Sequence, residues 1–219
     1  MKSYEAEKTE DLTNVIFLDI ETWAGDKPSL EDIVPDARLK DPDKIRADKE
    51  AKRDKVWRAQ ALSPIKGQVF CIGMAVDDEP SFAIVGADEQ EVLEMLDIEL
   101  AAYSFPKIVG HNLYDFDALF LYYKGLKYRM KNVVNAFSDK TNLIDTMVLL
   151  NGTSWKTMTS LDNMAKLLLG RSAKDDITGK DVHDLILAKQ GDRVLEYCKN
   201  DVKILRDCYR VLNSMGIYQ

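Results

Sequence analysis

The chain has 219 residues, 46% of them hydrophobic and 31% charged, which is enough to bury a full core within one large domain. Its N-terminal MKSYEAEKTEDL lacks the basic-then-apolar pattern of a signal peptide, and no apolar run approaches the roughly 20 residues of a membrane helix. A membrane protein is therefore excluded, and a cytoplasmic one is expected. The net charge of −7 argues against a broad phosphate-binding surface, because that binding draws on Lys and Arg. The sum conceals its distribution: with four carboxylates committed to metal, the 30 Lys and Arg face 33 remaining acids, a net of −3, and bound divalent ions would make such a site electropositive.

In chain order, Asn14 to Ile20 (NVIFLDI) predicts a buried strand, being short, apolar and β-branched or aromatic. Trp23 to Lys66 then separates it from the next strand by far more than the usual connection of about 4–6 residues, and reads as an insertion or lid. Within it, Arg38 to Arg58 carries nine Lys and Arg against five acids and predicts a charged helix after Pro42, more readily a solvated helix than one that contacts phosphates. Val69 to Val76 predicts a second strand, the turn residues Asp77 to Pro80 follow, and Phe82 to Val85 is a third. The first three strands suggest an antiparallel meander. Helical spacing of Val92, Leu93, Leu96 and Leu100 predicts a helix over Asp88 to Tyr103. Lys107 to Gly110 and Leu143 to Asp145 are further short strands, with a helix between them and helices to the end. Lys124 to Lys140 is again basic, with five cations and one acid. Cys71, Cys198 and Cys208 lie in apolar segments without a C-x-x-C pair and read as buried thiols. Strands first and then strand with helix suits an α/β fold, a mixed five-stranded sheet flanked by helices. Nothing marks a second domain, so residues 1–219 are expected to form one, with a charged helical insertion at about 24–66.

Three segments carry chemistry. Asp19 and Glu21 lie two apart at the end of the first strand, so both point to one side. Asp-x-Glu alone says little, since it recurs at Asp48, Asp77 and Asp97. What separates the first pair is the apolar run directly before it, where charge is costly without compensation. Asp117 opens a helix in GHNLYDFDALFL, where a helix cap beside the core residues Phe116, Leu119 and Phe120 is, taken alone, the better reading. His111 and Asn112 occupy the preceding loop, able either to hold the turn or to meet a substrate. Tyr197 and Asp201 share one side of the last helix. Such a pair is more often core edge and solvated acid than catalysis.

Taken in order, FLDIET, HNLYDFDALFL and EYCKNDVKILRD resemble the three motifs of the DEDD exonucleases, the DnaQ-like group. The third has the Tyr-x-x-x-Asp form of the tyrosine subtype, and residue 196, where the alternative histidine would stand, is Glu. The wording of the second and third motifs is most similar to the proofreading domain of family B DNA polymerases and its stand-alone phage and bacterial relatives, and LIDTM and SLDNMAKLLLG also fit. The insertion after Glu21 is not part of that pattern.

The resemblance implies an RNase H-like fold and a 3′-5′ exonuclease that releases nucleoside 5′-monophosphates, with single-stranded DNA favoured. It implies two divalent ions, Mg²⁺ or Mn²⁺, held by Asp19, Glu21, Asp117 and Asp201, with Asp19 bridging them and Tyr197 orienting the attacking water. Two ions about 3.5–4 Å apart supply the charge neutralisation that phosphodiester cleavage needs, and carboxylates are suited to such hard ions. Thr22, Trp23, Asn112 and Phe116 are expected to contact the 3′ end of a single strand, with core packing an equal reading for Phe116. Such a protein would act in the cytoplasm, alone or beside replication or repair proteins, and a phage-encoded origin fits. A non-catalytic binding module and an endonuclease of the same fold are the rival readings.

Overall fold

The computed structural model describes residues 14–152, 154, 159–173 and 176–217. Five strands, β1 (Val15–Trp23), β2 (Gln68–Val76), β3 (Phe82–Val85), β4 (Lys107–Gly110) and β5 (Leu143–Asp145), form one sheet in the order β3-β2-β1-β4-β5. The first three make the expected antiparallel meander, whereas β4 and β5 run parallel to β1. This is the mixed, helix-flanked sheet that the pattern predicts. β1 continues to Trp23 rather than ending at Ile20. Its polar end remains paired with β2 through a register shift between Glu21 and Thr22, a bulge of the kind that re-aims side chains.

Alternation along β1 sorts its side chains between two cores. Ile16, Leu18 and Ile20 join a cluster with α2 (Glu89–Ala101), α3 (Asp117–Tyr128) and α4 (Lys131–Phe137). Phe17 faces the other way, into a cluster with α6 (Leu161–Leu169) and α8 (Gly191–Ser214). Asp19 and Glu21 continue that second row, so the sheet itself presents them to α8. Two short helices, α5 (Thr146–Asn151) and α7 (Val182–Leu187), complete this side.

The long connection between β1 and β2 holds α1 (Pro42–Ala59), which starts where expected: Pro42 stands in its first turn and the Asp41 side chain accepts from the amides of Asp43 and Lys44. It buries none of its residues. Polar and ring contacts hold it instead: Lys49 Nζ donates to Leu30 O (2.9 Å), Arg53 Nε to Pro28 O (2.7 Å) and Trp57 Nε1 to Gly25 O (2.9 Å), while Arg58 pairs with Asp184 at 2.8 Å. Part of this positive charge is therefore committed internally. The Trp57 ring meets His183 edge-on at 4.6 Å.

The second basic stretch is likewise structural at its start. Lys124 is buried and pairs with the buried Glu89 at 2.9 Å, which also accepts from the Val69 amide (2.9 Å) and the Tyr128 hydroxyl (2.7 Å). Lys124 also donates to Gly67 O, pinning the point where the insertion rejoins the sheet. All three cysteines are buried free thiols.

Candidate active site

Three elements converge at the carboxyl end of β1. The strand supplies Asp19 and Glu21, the first turn of α3 supplies Asp117, and α8 supplies Tyr197 and Asp201 one turn apart. Glu21, Asp117 and Asp201 are all buried. Asp117 Oδ1 accepts from the Ile20 amide at 3.0 Å, which fixes this carboxylate to the strand residue between the two others. Asp115, two residues earlier, is exposed.

The charges of these groups act on one another. Burial first, and then the charges of Asp117, Glu21 and Asp201, push the Asp19 carboxyl well above its ordinary range. Glu21 is raised in the same way, by burial and then by Cys71, Asp201 and Asp117. Asp117 is pushed up to about 7 by burial, partly opposed by the backbone amides of Ile20 and Asp117 itself and reinforced by Asp145. Among the described residues, no Lys or Arg pairs with Asp19, Glu21 or Asp117. Burying several like charges without a cation is expensive, so the carboxylates of Asp19 and Glu21, whose oxygens and the Cys198 sulfur lie within 4.8 Å of one another, suit a divalent metal ion.

Tyr197 hydrogen-bonds Asp201, and its phenol is raised above its ordinary value by burial and then by the charges of Asp201, Glu21 and Asp19. At neutral pH it keeps its proton and can donate it in a hydrogen bond. Tyr197 and Asp201 also border a cavity of about 160 Å³ with Ser160, Leu161, Thr178 and Gly179. A larger cleft of about 460 Å³, with Arg193 and Asn200 in its lining, borders Tyr197 as well. The smaller one lies nearer the chemistry, since Asp201 lines it.

The other expected contacts are placed unevenly. Thr22 is buried and its hydroxyl donates to Ala61 O at 2.8 Å, tying the end of β1 to the insertion. Trp23 is half-buried at the strand's end. Phe116 packs on the core, its ring 5.0 Å from Phe120. Asn112 sits at φ +63°, a left-handed conformation that Asn tolerates better than most residues. Its amide and that of Tyr114 both donate to Asp145, at 3.0 Å each, so Asp145 shapes the loop that delivers Asp117. His111 is structural: its ring meets Thr146 Oγ1 at 3.0 Å and Thr159 O at 2.6 Å, and burial pushes its pKa down.

Sequence reasoning missed two neighbours of the site. Cys198 Sγ lies 3.6 Å from Asp19 O and 3.7 Å from Asp19 Oδ2, and Asp19, Glu21 and Cys198 together could hold a metal ion. His183 is buried with Nε2 unpaired, its Nδ1 3.4 Å from the Ala24 amide. The position of Cys198 next to Tyr197 was the available signal for the first. Nothing in the sequence singled out the second.

No curated protein matches the chain. Among solved structures, it is similar to the family B DNA polymerase from the hyperthermophilic archaeon Pyrobaculum calidifontis, at 16% identity and a TM-score of 0.59 over 91% of this chain and 24% of the polymerase. That likeness concerns the fold alone, which is RNase H-like. A family model described as a predicted 3′-5′ exonuclease related to the exonuclease domain of PolB matches residues 72–209. The matched stretch includes Asp117, Tyr197 and Asp201 and begins after Asp19 and Glu21. It spans more than half of the sequence, and the chain belongs to this family of predicted 3′-5′ exonucleases related to the exonuclease domain of PolB.

Proposed function

We propose that the chain forms one exonuclease domain that hydrolyses phosphodiester bonds at the 3′ end of nucleic acid, single-stranded DNA by preference, and releases nucleoside 5′-monophosphates. The observation that carries this reading is the convergence of Asp19 and Glu21 on β1, Asp117 on α3 and Asp201 on α8, with Asp19 and Glu21 raised by burial and by the charges of the others and Asp117 raised chiefly by burial, in a family of predicted exonucleases. Asp19, Glu21, Asp117 and Asp201 would hold two divalent ions, Mg²⁺ or Mn²⁺. When bound, such ions neutralise phosphate charge and acidify water.

The chain's own groups do the rest. The Ile20 amide holds Asp117 in place, and the hydrogen bond between Tyr197 and Asp201 aims the phenol. Because Tyr197 stays protonated, it orients the attacking water by hydrogen bonding and removes no proton. The end of β1, with Thr22 and Trp23, and the loop at Asn112 would position the terminal nucleotide. A connection of this size after Glu21 is, on this reading, an insertion within the one domain.

The test is degradation of 5′-labelled and 3′-labelled single-stranded and duplex DNA and RNA with Mg²⁺, Mn²⁺ or EDTA. A metal-dependent ladder shortening from the 3′ end is expected, strongest on single-stranded DNA. Binding without cleavage in either metal would instead make the chain a non-catalytic module.

A further inference from the structure

The register of β1 on β2 places Gly73 directly opposite Asp19. In an antiparallel pair, opposed residues point to the same face, so the empty side of Gly73 is the side that carries Asp19 and faces α8. A Cβ built on Gly73 would stand 2.8 Å from Val202 Cγ2, 2.9 Å from Cys198 Sγ and 3.0 Å from Cys198 O. Carbon atoms in contact settle about 3.5–4.0 Å apart, so any side chain here would have to lift the helix by roughly 1 Å. The φ of Gly73 is not left-handed. Its missing side chain therefore matters for space, not for backbone conformation.

The residues that fill this niche are the chain neighbours of the site. Cys198 follows Tyr197, Val202 follows Asp201, and Cys198 Sγ also touches Asp19. Whatever moves Cys198 and Val202 moves Tyr197 and Asp201 relative to Asp19 and Glu21. We propose that Gly73 is a positioning residue for the reaction: the absence of a side chain sets how closely α8 approaches β1, and so the distance across which the carboxylates of the two elements share metal ions. The inference rests on the metal-dependent exonuclease reading above. Mg²⁺ demands near-ideal octahedral geometry with bonds of about 2.0–2.1 Å, so a displacement of roughly 1 Å exceeds what such a pair of ligand sets absorbs.

The test compares wild type, Gly73→Ala, Val202→Ala and the double variant Gly73→Ala/Val202→Ala on single-stranded DNA. Each is read for kcat, KM, the Mg²⁺ and Mn²⁺ concentrations at half-maximal rate, and the rise in thermal midpoint that metal produces. Gly73→Ala should fold cooperatively and lose about 10²-fold in kcat, the scale expected for a misplacement of roughly 1 Å. Its KM should stay within threefold, its half-maximal Mg²⁺ should rise, and its loss should be smaller in Mn²⁺, whose bonds to oxygen are longer. Removing Val202 Cγ2 relieves the tightest contact but leaves Cys198 Sγ at 2.9 Å and Cys198 O at 3.0 Å, so the double variant should recover only part of that loss. If Gly73→Ala does not fold, the double variant is compared with Val202→Ala alone and should still have the lower kcat, since Cys198 still crowds the added methyl group. A folded Gly73→Ala with wild-type kcat and metal response overturns the inference, as does equality of the double variant with Val202→Ala should the single variant not fold. If wild type itself cleaves nothing, the exonuclease reading fails instead. Gly73 is then judged on metal binding alone, where an equal thermal rise in wild type and Gly73→Ala would overturn it.

Discussion

Asp117 shows how one carboxylate can cost the fold stability. Its carboxyl titrates at about 7 in the folded protein and near 3.9 in an unfolded chain. Between those values the unfolded chain releases a proton that the native state retains, so stability is lost as pH rises through the folded value. Asp117→Asn cannot ionise and keeps an oxygen to accept from the Ile20 amide. Without metal it should unfold several degrees above wild type at pH 8 and lose that advantage below pH ~4, while cleavage is abolished. Thermal melts at the two pH values with EDTA, together with a cleavage assay, check this, and a variant no more stable at pH 8 would be evidence against the crowded site. Asp115→Ala, at an exposed position, should keep wild-type activity. Tyr197→Phe removes the hydroxyl bonded to Asp201 and should slow turnover by about 10²–10⁴-fold with KM little changed; a wild-type rate would leave Tyr197 as packing only. The sequence made buried acids after an apolar run visible. It could not show the contact of Cys198 with Asp19, which joins residues 179 apart, nor that opposite Asp19 lies a residue whose contribution is the lack of a side chain.

Strands β3, β4 and β5 stand where the sequence predicts them, because short apolar runs between turn residues have few alternatives. β1 outran its prediction at Thr22 and Trp23: both residue types suit strands, but what extends the strand is their pairing with β2, a partner on which local propensity is silent. α1 was legible as a helix from Pro42 and its charge, but the way it is held was not. Its contacts run from Lys49, Arg53, Trp57 and Arg58 to backbone carbonyls and Asp184, all in segments that no period connects to it. Because α1 buries nothing, those contacts decide whether it stays docked. Trp57→Ala removes the hydrogen bond to Gly25 O and the edge contact with His183. An aromatic pair is worth about 0.5–1.5 kcal/mol beyond its area, so the global thermal midpoint should fall by only about 2–4 °C. Local opening should respond far more, since an element with no buried face depends on few contacts. Limited trypsin digestion should cut within 24–66 at least tenfold faster than in wild type, and unchanged cutting would mean that the remaining polar contacts suffice.

At the scale of the whole molecule, the proposed function requires a protein of net −7 to attract a polyanion, and the charge distribution suggests where. Lys49 and Arg53 are spent on carbonyls of their own loop, so neutralising them would test folding of the insertion rather than binding. Exposed Lys40, Lys44, Lys55 and Lys66 have no ion-pair partner among the described residues. They are not equivalent. The C-terminal end of α1 and the turn after it are tied to the chain just beyond Glu21 twice, by Trp57 to Gly25 O and by Ala61 O to Thr22. Lys55 and Lys66 flank those ties, whereas a rise of about 1.5 Å per residue carries Lys44 some ~16 Å farther along the helix, about two screening lengths of roughly 8 Å at physiological salt. Replacing Lys55 and Lys66 together with Gln should therefore raise KM for a short single strand about tenfold at physiological salt. It should also flatten the logarithmic salt dependence by about 0.7 for each phosphate that a lysine no longer neutralises, with kcat at saturation within twofold. Replacing Lys40 and Lys44 should do neither on a short substrate and should weaken only a strand long enough to run along α1. Equal effects of the two pairs would mean that the lysines act through net charge alone. No effect of either would make α1 a solvated helix, and a loss of kcat would make the insertion a lid that closes over the carboxylates.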